Sequence, residues 1–444
     1  MHNMENTTFF KNMVGSTAKG LNNGGVVLFI TVVIAMIWAN SPWKEFYQAL
    51  MKVEIGFTIG SFELFEPLLL WVNDALMALF FLQVGLELKR EILGGKLSSP
   101  KSAILPIGAA IGGMVIPALV YYSFNGSGEA SQGWGIPMAT DIAFSLGVLA
   151  LFGKKLPTAL RVFLVTLAIV DDLGGVLVIA LFYTSGISGM DLLHGLLFFG
   201  LLIIGNYAGV RSTWFYAIIG IGGVWLAFFF SGIHPTIAGI LTAMAIPGRV
   251  KIKEQTFLRR LDKLHKRFQK EKPVKGTLIS RKQLEILEDI KTTSSEAETP
   301  LQKIEKALHP LVSFVILPLF ALANAGIHLH GDLLKVMTSP VGLGIGLGLV
   351  FGKFIGIAGF SRVLVAFRLA KLPENVNWNM IYGTAFLGGI GFTMSLFINE
   401  LAFTDESMLF TAKVNILFAS LLAGIFGAIL LYRHNKKSIV TKIR

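Results

Sequence analysis

A chain of 444 residues that is 53% hydrophobic and only 15% charged is too apolar for a soluble protein, where about a quarter of the residues carry charge. It holds no cysteine, which excludes disulfides and thiolate-bound metal centres. Its net charge of +12 sits in segments between long apolar runs, which points to cytoplasmic loops facing anionic lipid and away from nucleic acid as a partner.

A spanning helix needs ~20 mostly apolar residues. Twelve runs fit: 24–40, 67–88, 102–123, 138–152, 158–183, 191–209, 214–230, 232–247, 308–326, 340–366, 379–399 and 408–432. The whole chain therefore reads as one all-α polytopic transporter domain in the lipid bilayer, with no enzymatic motif. No small-residue cleavage site follows the first run, so it is expected to stay as the first helix. An even number of spans puts both termini on one side. The basic loops KREILGGK, GKKLPTALR, NYAGVRS, FRLAKLP and the tail YRHNKK all fall on that side, which the positive-inside rule makes cytoplasmic.

Between the first two runs, KVEIGFTIGSFELF alternates Val53, Ile55, Phe57 and Ile59, then Phe62 and Leu64, around Gly60-Ser61. A period of two around such a turn predicts a periplasmic β-hairpin over 52–65; an irregular amphipathic loop is the plainer alternative. An isolated hairpin is marginal in water, so it is expected to pack on helix ends or on a second subunit.

The run 138–152 is short and carries Asp141 after Pro137 and Thr140. The next run, RVFLVTLAIVDDLGGVLVIALFY, carries Asp171 and Asp172 side by side. Charges inside a span are costly and usually mark an ion pathway or proton relay. Neighbours on a helix diverge by about 100°, so one acid can hold a cationic partner while the other faces a water-filled cavity. Such a pair can trade protons for a hard cation such as Na⁺ or Li⁺.

Residues 249–306 form a basic insert between the eighth and ninth spans, with 16 Lys or Arg against 9 Asp or Glu. Phe257, Leu261, Leu264 and Phe268 predict an amphipathic helix. Thr299-Pro300-Leu301-Gln302 predicts a capping box with proline at the first helical position. A solvated or membrane-surface insert without chemistry is the plain reading, and His265 within it reads as a solvated histidine.

Lys353 lies about 12 residues from either end of its run, about 18 Å at 1.5 Å per residue, too deep to snorkel. It must be neutral or paired with a carboxylate. A late run, AFLGGIGFTMSLFI, is interrupted by Gly388, Gly389 and Gly391. Short or interrupted runs in matching positions of two halves predict inverted repeats and two broken helices crossing at the midplane. Asp141 would then offset facing helix N-termini, and Lys353 facing C-termini.

Taken together, ATDIAFSLGVLALFG, TLAIVDDLGG, NDALMALFFLQVGLELKRE, ILPLFALANAG and GGIGFTMSLFI resemble the NhaA family of bacterial sodium/proton antiporters. The resemblance covers nearly all of the chain apart from the N-terminal segment and the insert. It implies a pH-regulated, electrogenic exchanger of the inner membrane that extrudes one Na⁺ or Li⁺ for two H⁺, with no cofactor. It also implies that Asp172 is the main ion ligand, with Asp171 beside it and paired to Lys353, so that Na⁺ sits at Asp172 and Asp171. Asp141 and Thr140 would lie at the crossing of the broken helices. Asp74, Glu87, Arg90 and Glu91 would belong to a cytoplasmic funnel linked to pH response. Glu305 and His309 would form a further pH-response cluster, and His234 would affect pH dependence. The hairpin would be the contact of a homodimer. The insert is longer and more basic than the family's pattern. An intramembrane aspartyl protease would need its acids on two facing helices; a cation channel would show a filter loop. The serious alternative is a sodium-coupled symporter of related architecture.

Overall fold

The computed structural model describes residues 24–443 except 61, 153–155, 185, 187, 272–277 and 330, and leaves aside the side chains of 59, 62 and those after 433. In a bilayer every backbone polar group must be satisfied internally, so apolar runs become helices. The elements in order are α1 (Gly24–Ala39), α2 (Lys44–Met51), β1 (Glu54–Ile59), β2 (Phe62–Pro67), α3 (Leu68–Gly94), α4 (Pro100–Phe124), α5 (Glu129–Ala150), α6 (Thr158–Phe182), α7 (Gly189–Tyr207), α8 (Thr213–Ser231), α9 (Thr236–Ala245), α10 (Glu254–Lys270), α11 (Arg281–Ala297), α12 (Pro300–Asn324), α13 (Leu333–Thr338), α14 (Pro340–Ala366), α15 (Trp378–Leu387), α16 (Phe392–Ala402) and α17 (Glu406–Ile443). Among the described residues nine helices are long and apolar enough to cross a membrane. Two bent pairs, α1 with α2 and α15 with α16, raise that to as many as eleven. The outward faces carry Leu181, Leu197 and Ile218 at 62–74% exposure. In water that would be untenable, and against lipid it is the expected surface. The protein is a multi-pass membrane protein.

Three expectations are adjusted. The run expected over 232–247 is helical only as α9, because Pro235 precedes it and Ile246 stands before Pro247 in extended conformation. The run expected over 138–152 begins earlier. Residues Glu129–Met138 form a 3₁₀ stretch, and Ala139–Asp141 break the helix before Ile142–Ala150. Gly133, Gly135 and Pro137 disfavour the α form there. The hairpin exists and is shifted by two residues. Ile55 pairs with Glu66, Phe57 with Leu64 and Ile59 with Phe62, so Ile55, Phe57 and Leu64 share one face. Gly60 takes a φ of 64°, which suits the tight turn. The Trp71 indole donates to the Ile55 carbonyl at 2.7 Å and ties the hairpin to α3.

Glycines bring α4 and α14 together. Gly344, Gly348, Gly352 and Gly356 recur every four residues, and so lie along one face of α14. A Cβ at Gly356 would meet the Gly112 backbone, one at Gly352 the Pro117 backbone, and one at Gly348 the Pro137 ring. Backbones approach this closely in membranes only through small residues. The seam delivers Lys353, just after the π-helical turn Gly348–Gly352, to the interior. The apolar interior has two packed clusters. One holds α1–α6, α12 and α14–α17; the other gathers α7–α9 against α3 and the start of α12, so that both share α3 and α12.

In the insert, α10 and α11 pack on each other and bury Leu264 and Ile286. Glu296 accepts from Lys251 at 2.6 Å and Arg260 at 2.8 Å. The hydrogen bond from Lys251 holds its carboxyl below the usual range. The capping box at Thr299 and Gln302 is present and starts α12.

Candidate functional site

Where the chain runs out of helix in mid-bundle, backbone groups need partners. The break in α5 lies against the break between α15 and α16, which bend by 43°. One carboxylate serves the starts of two helices. Asp141 Oδ1 accepts from the Phe144 amide at 2.9 Å, while Oδ2 accepts from the Thr393 amide at 3.0 Å and hydroxyl at 2.6 Å. The Asp141 amide donates to the Ile390 carbonyl at 2.6 Å. The ends are tied reciprocally. Ser145 donates to the Leu387 carbonyl and Ser395 to the Ile136 carbonyl, each at 2.8 Å. Asp141, Ser145 and Ser395 are essentially fully buried. Asp141 thus faces helix N-termini as its position suggests, because an N-terminus leaves donors unsatisfied and carries partial positive charge.

Beside this crossing, Lys353 pairs with Asp171 Oδ2 and donates to Thr140 Oγ at 2.9 Å. The Thr140 hydroxyl lies 2.6 Å from Asp171 Oδ2 and 2.8 Å from the Gly388 carbonyl. It has one hydrogen for two acceptors. Lys353 reaches the C-terminal end of α15 through this threonine and not by direct contact with a carbonyl. Both side chains of the ion pair are fully buried. Taking each ion out of water costs several kcal/mol, so the pair persists only while both partners are present.

Asp172 is the exception. It is 2% exposed, and neither carboxylate oxygen has a hydrogen-bond partner; Asp171 Oδ1 is likewise unpartnered. Asp172 follows Asp171 on α6 and, as the 100° step requires, does not share the lysine contact. An unpartnered buried carboxylate is unstable as a bare anion. It calls for a proton or a cation. Among the described residues no group of three or more His, Asp or Glu is gathered as a resident metal centre.

A cavity of about 460 Å³ runs toward this region. Asp141 and Thr393 line its deep end, with Glu87, Arg90, Glu305 and His309 also on its wall. Val165 of α6 borders it, two turns before Asp172; Asp172 itself does not line it. Arg90 joins Glu305 at 3.2 Å and Glu91 at 3.5 Å, and Gln83 donates to Glu87 at 2.8 Å. Five of the residues singled out for pH response therefore form one group. Asp74 and His234 stand apart from it. Asp74 lies in the π-helical turn Trp71–Leu76 at the hairpin end of α3, 16 residues before Arg90, about 24 Å along the helix. His234, in the turn between α8 and α9, has its Nε2 2.8 Å from the Tyr183 carbonyl. Burial pushes its pKa down, and a carbonyl can only accept, so Nε2 carries the hydrogen in this contact. Thr393, Ser145 and Ser395 escaped the sequence reading. The clue for Thr393 was its place just after Gly-Gly-Ile-Gly, in the first turn of the resuming helix, where free amides demand an acceptor.

Sequence comparison agrees in extent with this architecture. The profile of the Na⁺/H⁺ antiporter 1 family matches residues 17–431. The Na⁺/H⁺ antiporter NhaA of Oleidesulfovibrio alaskensis is 45% identical over 417 residues, 93% of this chain and 91% of its own. The NhaA of Syntrophobacter fumaroxidans is 46% identical over 416 residues, 92% and 88% of the two chains. NhaA 1 of Saccharophagus degradans is 44% identical over 413 residues, 92% and 89%.

Proposed function

The chain belongs to the Na⁺/H⁺ antiporter 1 family, and from that premise we propose that it exchanges Na⁺ or Li⁺ for protons across the bacterial inner membrane, one metal ion outward for two H⁺ inward, under control of pH. The observation that carries this reading is the buried Asp172 carboxylate with both oxygens unpartnered, one residue from an acid already held by Lys353. The relatives give no support to a sodium-coupled symporter.

The charges support this stoichiometry. With the proton on Asp172 and the Lys353–Asp171 pair intact, the cluster is neutral. A metal ion entering between Asp172 and Asp171 draws Asp171 from the ammonium. An ammonium left buried without its counter-charge sheds its proton. One Na⁺ then replaces two protons, and each cycle moves one net charge. Thr140 can turn its hydroxyl from Asp171 to the Gly388 carbonyl as the acid turns to the ion. Asp141 stays in place and keeps both helix starts satisfied. The cavity past Arg90, Glu305 and His309 is the cytoplasmic approach, and the ionic group Glu87, Arg90, Glu91, Glu305 and His309 supplies the pH response from its mouth.

The nine long spans with α1, the broken α15–α16 and the short α9 would make twelve, with both termini in the cytoplasm. The reciprocal serine bonds support two inverted repeats related across the crossing. The exposed Ile55, Phe57 and Phe65 of the hairpin support a homodimer through that element.

Everted membrane vesicles with an acid interior test the exchange. Added Na⁺ or Li⁺ should dissipate the pH gradient and K⁺ should do much less, while Asp172→Asn should abolish the response with protein still in the membrane. Wild-type vesicles that hold their gradient against Na⁺ at every pH from about 6 to 9, a range chosen to span histidine and shifted carboxylates, would sink the reading.

A further inference from the structure

A second cavity of about 460 Å³ lies at the end of the bundle where α4 and α6 begin, away from the ion cluster. Three lysines from separate elements converge on it: Lys96 from the turn after α3, Lys101 from the first turn of α4, and Lys371 from the segment between α14 and α15. None of the three is in an ion pair among the described residues. Against them stands one lining acid, Glu374. Ser102 and Thr158 add hydroxyls at the rim, and the first turns of α4 and α6 add partial positive charge. The inner wall is apolar, with Leu105, Val162 and Phe163.

We propose that this cleft binds the phosphate of an anionic phospholipid headgroup, its three lysines neutralising the charge while the upper acyl segments lie on the apolar wall. Unpaired cations left together repel one another, and a multivalent anion removes that repulsion. The cleft lies at the helix ends, the level of a bilayer at which headgroups sit. A cleft for a soluble phosphate would have no use for the partly exposed Ala159, Val162 and Leu372 on its wall. Because α6 forms one side, with Thr166 lining the cleft five residues before Asp171, an occupied site would brace the helix that carries the two acids.

The test uses the purified full chain in detergent, with lipid retention read by native mass spectrometry and melting read by fluorescence. The probes are phosphatidylglycerol, phosphatidylcholine and millimolar sodium phosphate. Phosphatidylglycerol should be retained by wild type and raise its melting temperature. A surface basic residue contributes enough that binding should weaken about fivefold for each lysine removed in Lys96→Gln, Lys101→Gln and Lys371→Gln. A control carrying Lys253→Gln, Lys263→Gln and Lys270→Gln in the insert loses equal charge and should bind as wild type. A melting shift with sodium phosphate alone, lost in the cleft variants, would keep the anion site and make its source a soluble phosphate. Equal binding of phosphatidylcholine, or equal losses in the cleft and control variants, would overturn the proposal.

Discussion

A lysine and two aspartates at full burial would be ruinous singly. Lys353 and Asp171 answer each other, and Thr140 bridges them to the end of α15. Removing the lysine strips Asp171 of its partner. Breaking a buried pair by deleting one member costs about 3–5 kcal/mol, less whatever the acid recovers by taking up a proton. Lys353→Ala should therefore melt well below wild type and lose exchange. Adding Asp171→Asn to that variant removes the stranded charge and should recover melting without recovering exchange. A Lys353→Ala protein with unchanged melting would mean that the pair holds nothing together. Thr393 and Asp141 show the other residue-scale rule. A hydrogen-bonded acid at a helix start is satisfied in place, so Asp141 has its partners within the bundle while neither oxygen of Asp172 has one.

At the scale of elements, small residues place the large charges. The α14 glycines at four-residue spacing let α4 and α14 touch backbone to backbone. Gly356 lies three residues past Lys353, on the packed face. Gly359 lies on the same helix with open space around its missing side chain. Gly356→Leu should lower the melting temperature strongly, since overfilling a packed interface costs about 1–3 kcal/mol even where side chains alone must yield, and here a backbone must move. Gly359→Leu should melt within a degree or two of wild type. Equal effects at the two positions would refute the seam. Lys89 illustrates a different device. Its ammonium donates to the Met244 and Ile246 carbonyls at 2.6 and 2.5 Å, satisfying the end of α9 where proline stops it short.

Across the whole molecule, the two packed clusters meet along α3 and α12, and the cavity toward Asp141 is walled by both helices. The hairpin stands outside both, attached by Trp71, with Ile55, Phe57 and Phe65 between 43% and 51% exposed. If it joins two copies, replacing those three residues with serine should halve the particle mass seen by light scattering in detergent while leaving melting of the single chain intact. Wild type that is already monomeric at micromolar concentration would reject the dimer.

The sequence alone determined much of this protein. Long apolar runs must become helices because lipid offers the backbone no other partner, and period-two alternation around Gly60-Ser61 specified the hairpin. Charges in apolar runs marked Asp141, Asp171, Asp172 and Lys353, since nothing but function or pairing offsets their cost. Tertiary structure decided what local pattern cannot encode. It chose which of two adjacent acids holds the lysine, gave Asp141 to two helix starts at once, and brought Thr393 and Ser395 to a break some 250 residues earlier in the chain. It also gathered Glu87, Arg90, Glu305 and His309 on one cavity and left Asp74 and His234 elsewhere. Burial and spacing are legible along a chain. Partnership between distant residues depends on which helices pack, and that was settled by the glycine seam and the crossing of the two breaks.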